Sequence, residues 1–259
     1  NNAGIVALNN TAHHVNPADD AYGWDYRRDM VCSVIKRYDP CIIGTQEGKW
    51  HQLVYLMDHL SGYSIHAPQR IIDESSQYPT LFYSSDQFES IEGADRWLSR
   101  TPLVHRSSDW NSTFPRMMSW GRIIRRHDQR DLWVAVTHLD HANPDARLQQ
   151  ASLLADFVKQ WNGPSIVMGD FNDHPGSPVH QLLTSRGTGL HDTWQALGRP
   201  ENEESMTHHG FQGVPQKTRM DWILVSRHFE IRDAMIIRDH WQGSYPSDHY
   251  PYVVEAECA

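Results

Sequence analysis

Short β-branched or aromatic segments alternate with helix-period stripes along the whole chain, and this alternation limits the fold more than any other feature. The strand-like segments are Ile5–Leu8, Ile42–Thr45, Thr80–Ser84, Trp120–Arg125, Leu132–Thr137, Ser165–Met168, Trp222–Val225 and Tyr252–Ala256. They hold residues that suit a pleated surface and are bounded by polar turns. Between them, Tyr26, Met30, Val31, Val34, Ile35 and Tyr38 recur at helical spacing and stop before Pro40. Trp50, Leu53, Val54, Met57 and Leu60 form a second stripe, and a third runs over Asp145–Trp161. A shorter helix is predicted after Ser177. No linker, repeat or low-complexity segment divides the 259 residues, which predicts one α/β domain over 1–259. Strands are harder to place across 91–115. The polar, Gly-containing stretch 199–220 reads as a long surface loop, a kind of segment that often carries function.

Polar chemistry collects at the strand ends. Asn9 and Asn10 follow the first strand, Gln46 and Glu47 the second. His138, Asp140 and His141 follow the strand ending at Thr137, and Asp170 and Asn172 follow Met168. Asp221 precedes Trp222, and Asp248 and His249 precede the last strand. Any one of these is ordinary turn chemistry. Together they matter more, because α/β sheets place their sites beyond strand ends. Period-two geometry puts Asp170 and Asn172 on one face if the chain stays extended. Glu47, Asp170 and Asp248 in one cleft would repel unless a cation sits between them. All-oxygen ligands suit Mg²⁺ or Mn²⁺.

Composition narrows the partners. Lys plus Arg total 23 against 32 Asp plus Glu, a net charge of −9 at pH 7. A generic nucleic-acid binder carries a basic excess, so a polyanion here must be held locally or through cations. Three widely spaced cysteines give neither a disulfide framework nor a zinc spacing. No apolar run is long enough to span a membrane. The start "NNAGIVALNN" shows no signal peptide. A soluble protein is expected, either cytoplasmic or secreted with its leader removed.

"GTQE", "THLDH", "GDFN", "MDWILVS" and "YPSDHYP", in this order and spacing, resemble the endonuclease/exonuclease/phosphatase superfamily. "TFPRMMSWGRI" and "NPDARLQQA" are similar to its bacterial branch with Thr-His-Leu-Asp-His. The resemblance covers nearly the whole chain. It implies a DNase I-like four-layer α/β/β/α sandwich, two packed mixed β-sheets flanked by helices. It also implies roles by position. Glu47 and Asp248 match metal-binding acids, and Asn9 matches the first-strand asparagine near the metal. Asp170 matches the aspartate that acts on the attacking water, and Asn172 an asparagine on the phosphate. His138 matches the histidine at the scissile phosphate, His249 the catalytic histidine and Asp221 its paired aspartate. Arg116, Asp140 and His141 are expected to bind substrate. The branch's Gly-Arg-x-Asp-Gly loop has the counterpart "APQRIIDESSQYP", which keeps Arg70 and Asp73 without the glycines.

The activity so implied is a Mg²⁺- or Mn²⁺-dependent phosphoesterase acting by metal-assisted attack of water, with a phosphodiester favoured. The partner is a phosphate ester, either nucleic acid or a small phosphorylated metabolite, and the chain is expected to be a monomer. Other readings are a phosphomonoesterase for a sugar, inositol or nucleotide phosphate, and a catalytically silent binding module. A dinuclear zinc hydrolase is more remote, because position 136 is Val where its His-x-His motif needs the first histidine. His208 and His209 read as a solvated loop pair.

Overall fold

The computed structural model describes residues 3–9 and 22–258, and of residues 3, 8 and 9 the backbone alone. The strands form two six-stranded sheets. The first runs in spatial order β11 (Phe229–Ile236), β12 (Tyr252–Cys258), β1 (Ala3–Asn9), β2 (Ile42–Gly48), β4 (Tyr78–Ser84) and β3 (Tyr63–His66). The second runs β5 (Phe88–Trp97), β6 (Met117–Arg125), β7 (Arg130–His138), β8 (Ser165–Asp170), β10 (Asp221–Ser226) and β9 (Leu190–Asp192). β5 lies partly within 91–115, where no clear strand was predicted.

Alternation along the strands sorts their side chains into layers. Ile5, Ala7 and Ile42 meet Val134, Val136, Ile166, Met168 and Ile223 between the sheets. Their neighbours Val6, Ile43 and Val253 face outward against α1 (Trp24–Tyr38) and α2 (Trp50–His59). On the other side, Ala135, Val167 and Leu224 face α3 (Pro144–Val158) and α4 (Pro178–Leu183). Central strands are thus apolar on both faces, which is why they read as continuous runs. Helix α3 begins where Asn143 accepts from the Asp145 and Ala146 amides, with Pro144 in its first turn. The expected four-layer sandwich is the observed fold. No helix among the described residues is long and apolar enough to cross a membrane.

Each sheet contains a parallel pair, β1 with β2 across α1 and β7 with β8 across α3. The C-terminal ends of both pairs meet at one edge of the sandwich, and the antiparallel strands β10 and β12 begin there. Close approach at that edge needs Gly169, whose φ is 147°. A Cβ there would lie 2.0 Å from the Thr137 carbonyl oxygen. Gly169→Ala is therefore expected to lose about 2–4 kcal/mol of stability. Urea unfolding checks this through a lowered midpoint at unchanged slope, and a wild-type midpoint would contradict it.

Candidate active site

Strand register brings the first groups together. His138 closes β7, Asp170 closes β8 and Asp221 opens β10, and each pairs with its neighbour across the sheet. Glu47 arrives from the first sheet through an irregularity. The β2–β4 register shifts between Thr45 and Gly48, and Glu47 takes a left-handed φ of 59°. Such a bulge re-aims a side chain, and Glu47 Oε1 lies 3.5 Å from His138 Nδ1. All four side chains are buried.

His138 stands between two carboxylates, with Nε2 3.4 Å from Asp170 Oδ2. Asn172 Nδ2 donates to that Nε2 at 2.9 Å and to the Leu139 carbonyl at 3.0 Å. An amide nitrogen only donates, so Nε2 accepts and the proton sits on Nδ1, toward Glu47. Asn172 arrives by a route other than the predicted one. The extended chain ends at Asp170, and Asn172 turns to a φ of 52°. Its backbone N–H donates to Asp170 Oδ1 at 2.8 Å. Asp170 thus anchors an Asx turn and lines the site at once.

His249 donates from Nδ1 to Asp221 Oδ2 at 2.7 Å, while Asp221 Oδ1 is buried without a hydrogen-bond partner. Burial disfavours a charged imidazole, but Asp221 first, then Asp170 and Asp248, outweigh it and push His249 up to about 10. Asp170 is raised to about 7 by burial first and by the charge of Asp221 next. Asp248 is raised by burial, with His249 opposing and Glu47 reinforcing. Burial is thus the main cause of both rises, and His249 offsets part of it at each acid.

An acid-rich, buried oxygen set of this kind fits a hard divalent cation. Two groups of three ligand atoms lie within 4.8 Å of one another: His208, Asp248 and His249, and Asp170, Asp221 and His249. In the second, Asp221 Oδ2 is already engaged by His249. Glu47 is in neither group, although its charge acts on both Asp170 and Asp248. Asn9 ends β1 opposite Gln46, and its side chain lies outside the described residues.

The three expected substrate contacts divide. Buried Arg116 donates from Nη2 to His141 Nδ1 at 3.1 Å, and the exposed His141 ring lies 5.9 Å from Phe114. Arg116 is lowered by burial and drawn the other way by Glu47, Asp170 and Asp140, so it belongs to the same electrostatic neighbourhood. Asp140 is fully buried. Its oxygens accept from Ser112 Oγ and from the Thr113, Ala142 and Asn143 amides at 2.6–2.9 Å. That arrangement braces the loop and aims no free oxygen at a substrate.

Segment 199–220 is largely irregular, with Glu203, Glu204, Gln212 and Lys217 exposed, but part of it turns inward. Its residues Thr207, His209 and Arg219 are buried. The Thr207 carbonyl accepts from Tyr250 N, and the Asp248 carbonyl accepts from His209 N and Gly210 N. Thr207 Oγ1 also accepts from the Met220 and Asp221 amides at 3.1 and 3.3 Å. His209 stacks on Tyr250 at 3.9 Å, and His208 stands edge-on to His249 at 5.0 Å. His209 is buried and His208 half-buried, because the backbone here pairs with the segment that carries His249.

Arg27 is a further contributor that the sequence reading passed over. It is buried in α1, donates to the Pro246 and Tyr22 carbonyls, and faces the charge of Asp248. A signal existed, since Arg27 lies one turn before Val31 on the face that α1 buries. Tyr26, placed on that stripe, is exposed.

A model of the Endonuclease/Exonuclease/phosphatase family matches residues 8–249. An endonuclease/exonuclease/phosphatase from Bacteroides vulgatus has the same fold, with a TM-score of 0.88 and 24% identity over 100% of both chains. A mannosyl-6-phosphatase of Bacteroides thetaiotaomicron superposes with a TM-score of 0.86 and 26% identity. That match covers 98% of this chain and 99% of the other. Carbon catabolite repressor protein 4 homolog 3 of Arabidopsis thaliana is 24% identical over 187 residues, 68% of this chain and 39% of that protein. The chain thus spans well under half the length of that relative.

The raised His249 makes the imidazolium–Asp221 pair stabilising below the unfolded histidine value of about 6.5. That contribution is lost as pH rises through the folded value of about 10. In metal-free protein, an NMR titration should find His249 charged from about pH 6 to 8. Asp221→Asn should return it toward about 6.5. A wild-type His249 that loses its proton near pH 6.5 would contradict the pairing.

Proposed function

The chain belongs to the endonuclease/exonuclease/phosphatase family, and from that premise we propose that it hydrolyses a small phosphomonoester by metal-assisted attack of water. The observation that carries this reading is the buried constellation of Glu47, His138, Asp170, Asp221 and His249, with half-buried Asn172, beside a cleft of about 260 Å³. Arg116 and His138 line that cleft. Its size suits one sugar-sized leaving group better than a nucleic-acid duplex. The net charge of −9 favours the same choice. The 26%-identical mannosyl-6-phosphatase, similar along nearly the whole of both chains, supports a sugar phosphate. These observations move the phosphomonoester ahead of the phosphodiester that the sequence favoured. Residues 1–259 act as one catalytic domain in this reading.

Glu47, Asp248 and Asn9 would hold Mg²⁺ or Mn²⁺, which when bound supplies a Lewis acid for a non-bridging phosphate oxygen. Arg116 offers donors to the remaining oxygens, while Asn172, whose two amide hydrogens go to His138 and the Leu139 carbonyl, holds His138 beside them. Asp170, raised toward neutrality, takes a proton from the attacking water. His249, kept charged by Asp221, stabilises the negative charge that grows on the phosphoryl group. The new bond joins water oxygen to phosphorus, the bond to the alcohol oxygen breaks, and the departing oxygen takes up a proton from solvent.

A panel of sugar phosphates, a phosphodiester and an oligonucleotide, assayed with Mg²⁺ or Mn²⁺, should show phosphate release from the monoesters and its loss in EDTA. Undiminished activity in EDTA would remove the metal from the scheme. Asp170→Ala and His249→Ala should each lower kcat by about 10³-fold or more with circular dichroism unchanged. Near-wild-type rates would refute those two roles.

Binding has a separate readout. The buried acids are more ionised at higher pH, so Mg²⁺ should raise the melting temperature more at about pH 8 than at about pH 5. An equal rise at both would argue against a carboxylate site.

A further inference from the structure

The cleft beside the candidate site carries a charge pattern that the scissile phosphate alone does not explain. Three cationic residues line it, Lys49, Arg106 and Arg116, and no carboxylate does so among the described residues. This occurs in a chain of net charge −9. Arg116 is buried, and its Nε has no hydrogen-bond partner. It lies near Glu47 and Asp170, so it belongs to the scissile end. Lys49 lies two residues past Glu47 and is exposed at the cleft. Arg106 comes from a different loop, at a left-handed φ of 57°. It is held at the cleft by Asp73, 2.8 Å away, and by Ser75 Oγ. Trp97 and the 45%-exposed Phe114 add ring surface to the same space.

One phosphate needs one such guanidinium, and Lys49 and Arg106 remain. Low-dielectric walls lined by one sign of charge concentrate a field of that sign. We infer that this cleft is a leaving-group subsite selecting alcohols that carry a second anionic group, a phosphate or carboxylate, read by Lys49 and Arg106. The inference rests on the phosphomonoesterase reading above and adds its substrate class. It also gives a use to Asp73, which stands in place of the glycine-bearing loop of the family branch. Asp73 positions Arg106 and is itself no contact.

The test compares glucose 6-phosphate with glucose 1,6-bisphosphate and 6-phosphogluconate. Turnover is measured with Mg²⁺, and calorimetric binding is measured on metal-free protein so that the result stands even if turnover fails. The doubly anionic compounds should be preferred by about tenfold in kcat/KM and in affinity. The preference should shrink as salt is raised. Lys49→Gln and Arg106→Gln should each reduce the ratio, Lys49→Arg should largely keep it, and Asp73→Asn should weaken it by loosening Arg106. The two anionic compounds separate a phosphate reader from a carboxylate reader. Equal affinity for all three compounds, or a preference unmoved by both glutamine variants, would overturn the subsite. Absence of turnover with every phosphate ester would overturn the catalytic reading, whereas the binding ratio would still decide the subsite.

Discussion

Buried negative charge at the edge shared by the two sheets is the constraint on which the functional end of this molecule depends. Asp170 pairs in register with His138 on one side and Asp221 on the other, so three ionisable side chains occupy adjacent strand ends. The bulge in β2 adds Glu47 from the opposite sheet. Uncompensated carboxylates in such a place are unfavourable. The raised states of Asp170 and Asp248 show that compensation within the chain is incomplete. What compensation there is comes from His249, Arg27 and Arg116, each of them buried.

Those counter-charges are held by backbone. Arg27 grips the Pro246 carbonyl, and segment 207–210 bonds to residues 248–250. Thr207 links the two halves of the histidine–aspartate pair, because its hydroxyl receives the Asp221 amide and its carbonyl receives Tyr250 N. A site assembled from two sheets needs such cross-bracing to hold geometry on the scale that chemistry demands.

Part of this arrangement was legible in the sequence for a definite reason. Runs such as Ile166–Met168 and Trp222–Val225 are apolar on both faces because helices and the opposite sheet cover them. The polar residue that ends each run therefore marks where burial by both layers stops. Asp140 shows the limit of that logic, since a strand-end acid beside His138 turns out to hold its own loop. Backbone turns were less legible. The left-handed conformation of Glu47 leaves no mark in residue type, whereas that of Asn172 falls on a residue that tolerates it and could have been suspected. Segment 199–220 looked solvated because its residues are polar, yet hydrogen bonds hold Thr207 and Arg219 inside the protein. Composition does not distinguish a polar residue facing water from one paired in the interior.

The first sheet has a topological property with a consequence for how the molecule is made. β1 pairs with β12, so Ala3 lies opposite Ala256 and Ile5 opposite Val254. The central strand of that sheet therefore gains its second neighbour only from a segment far along the chain. Contacts of such sequence separation slow folding. Until β12 docks, Asp248 and His249 have no strand to carry them to the shared edge. A chain can thus build core around the second sheet before the candidate site is assembled.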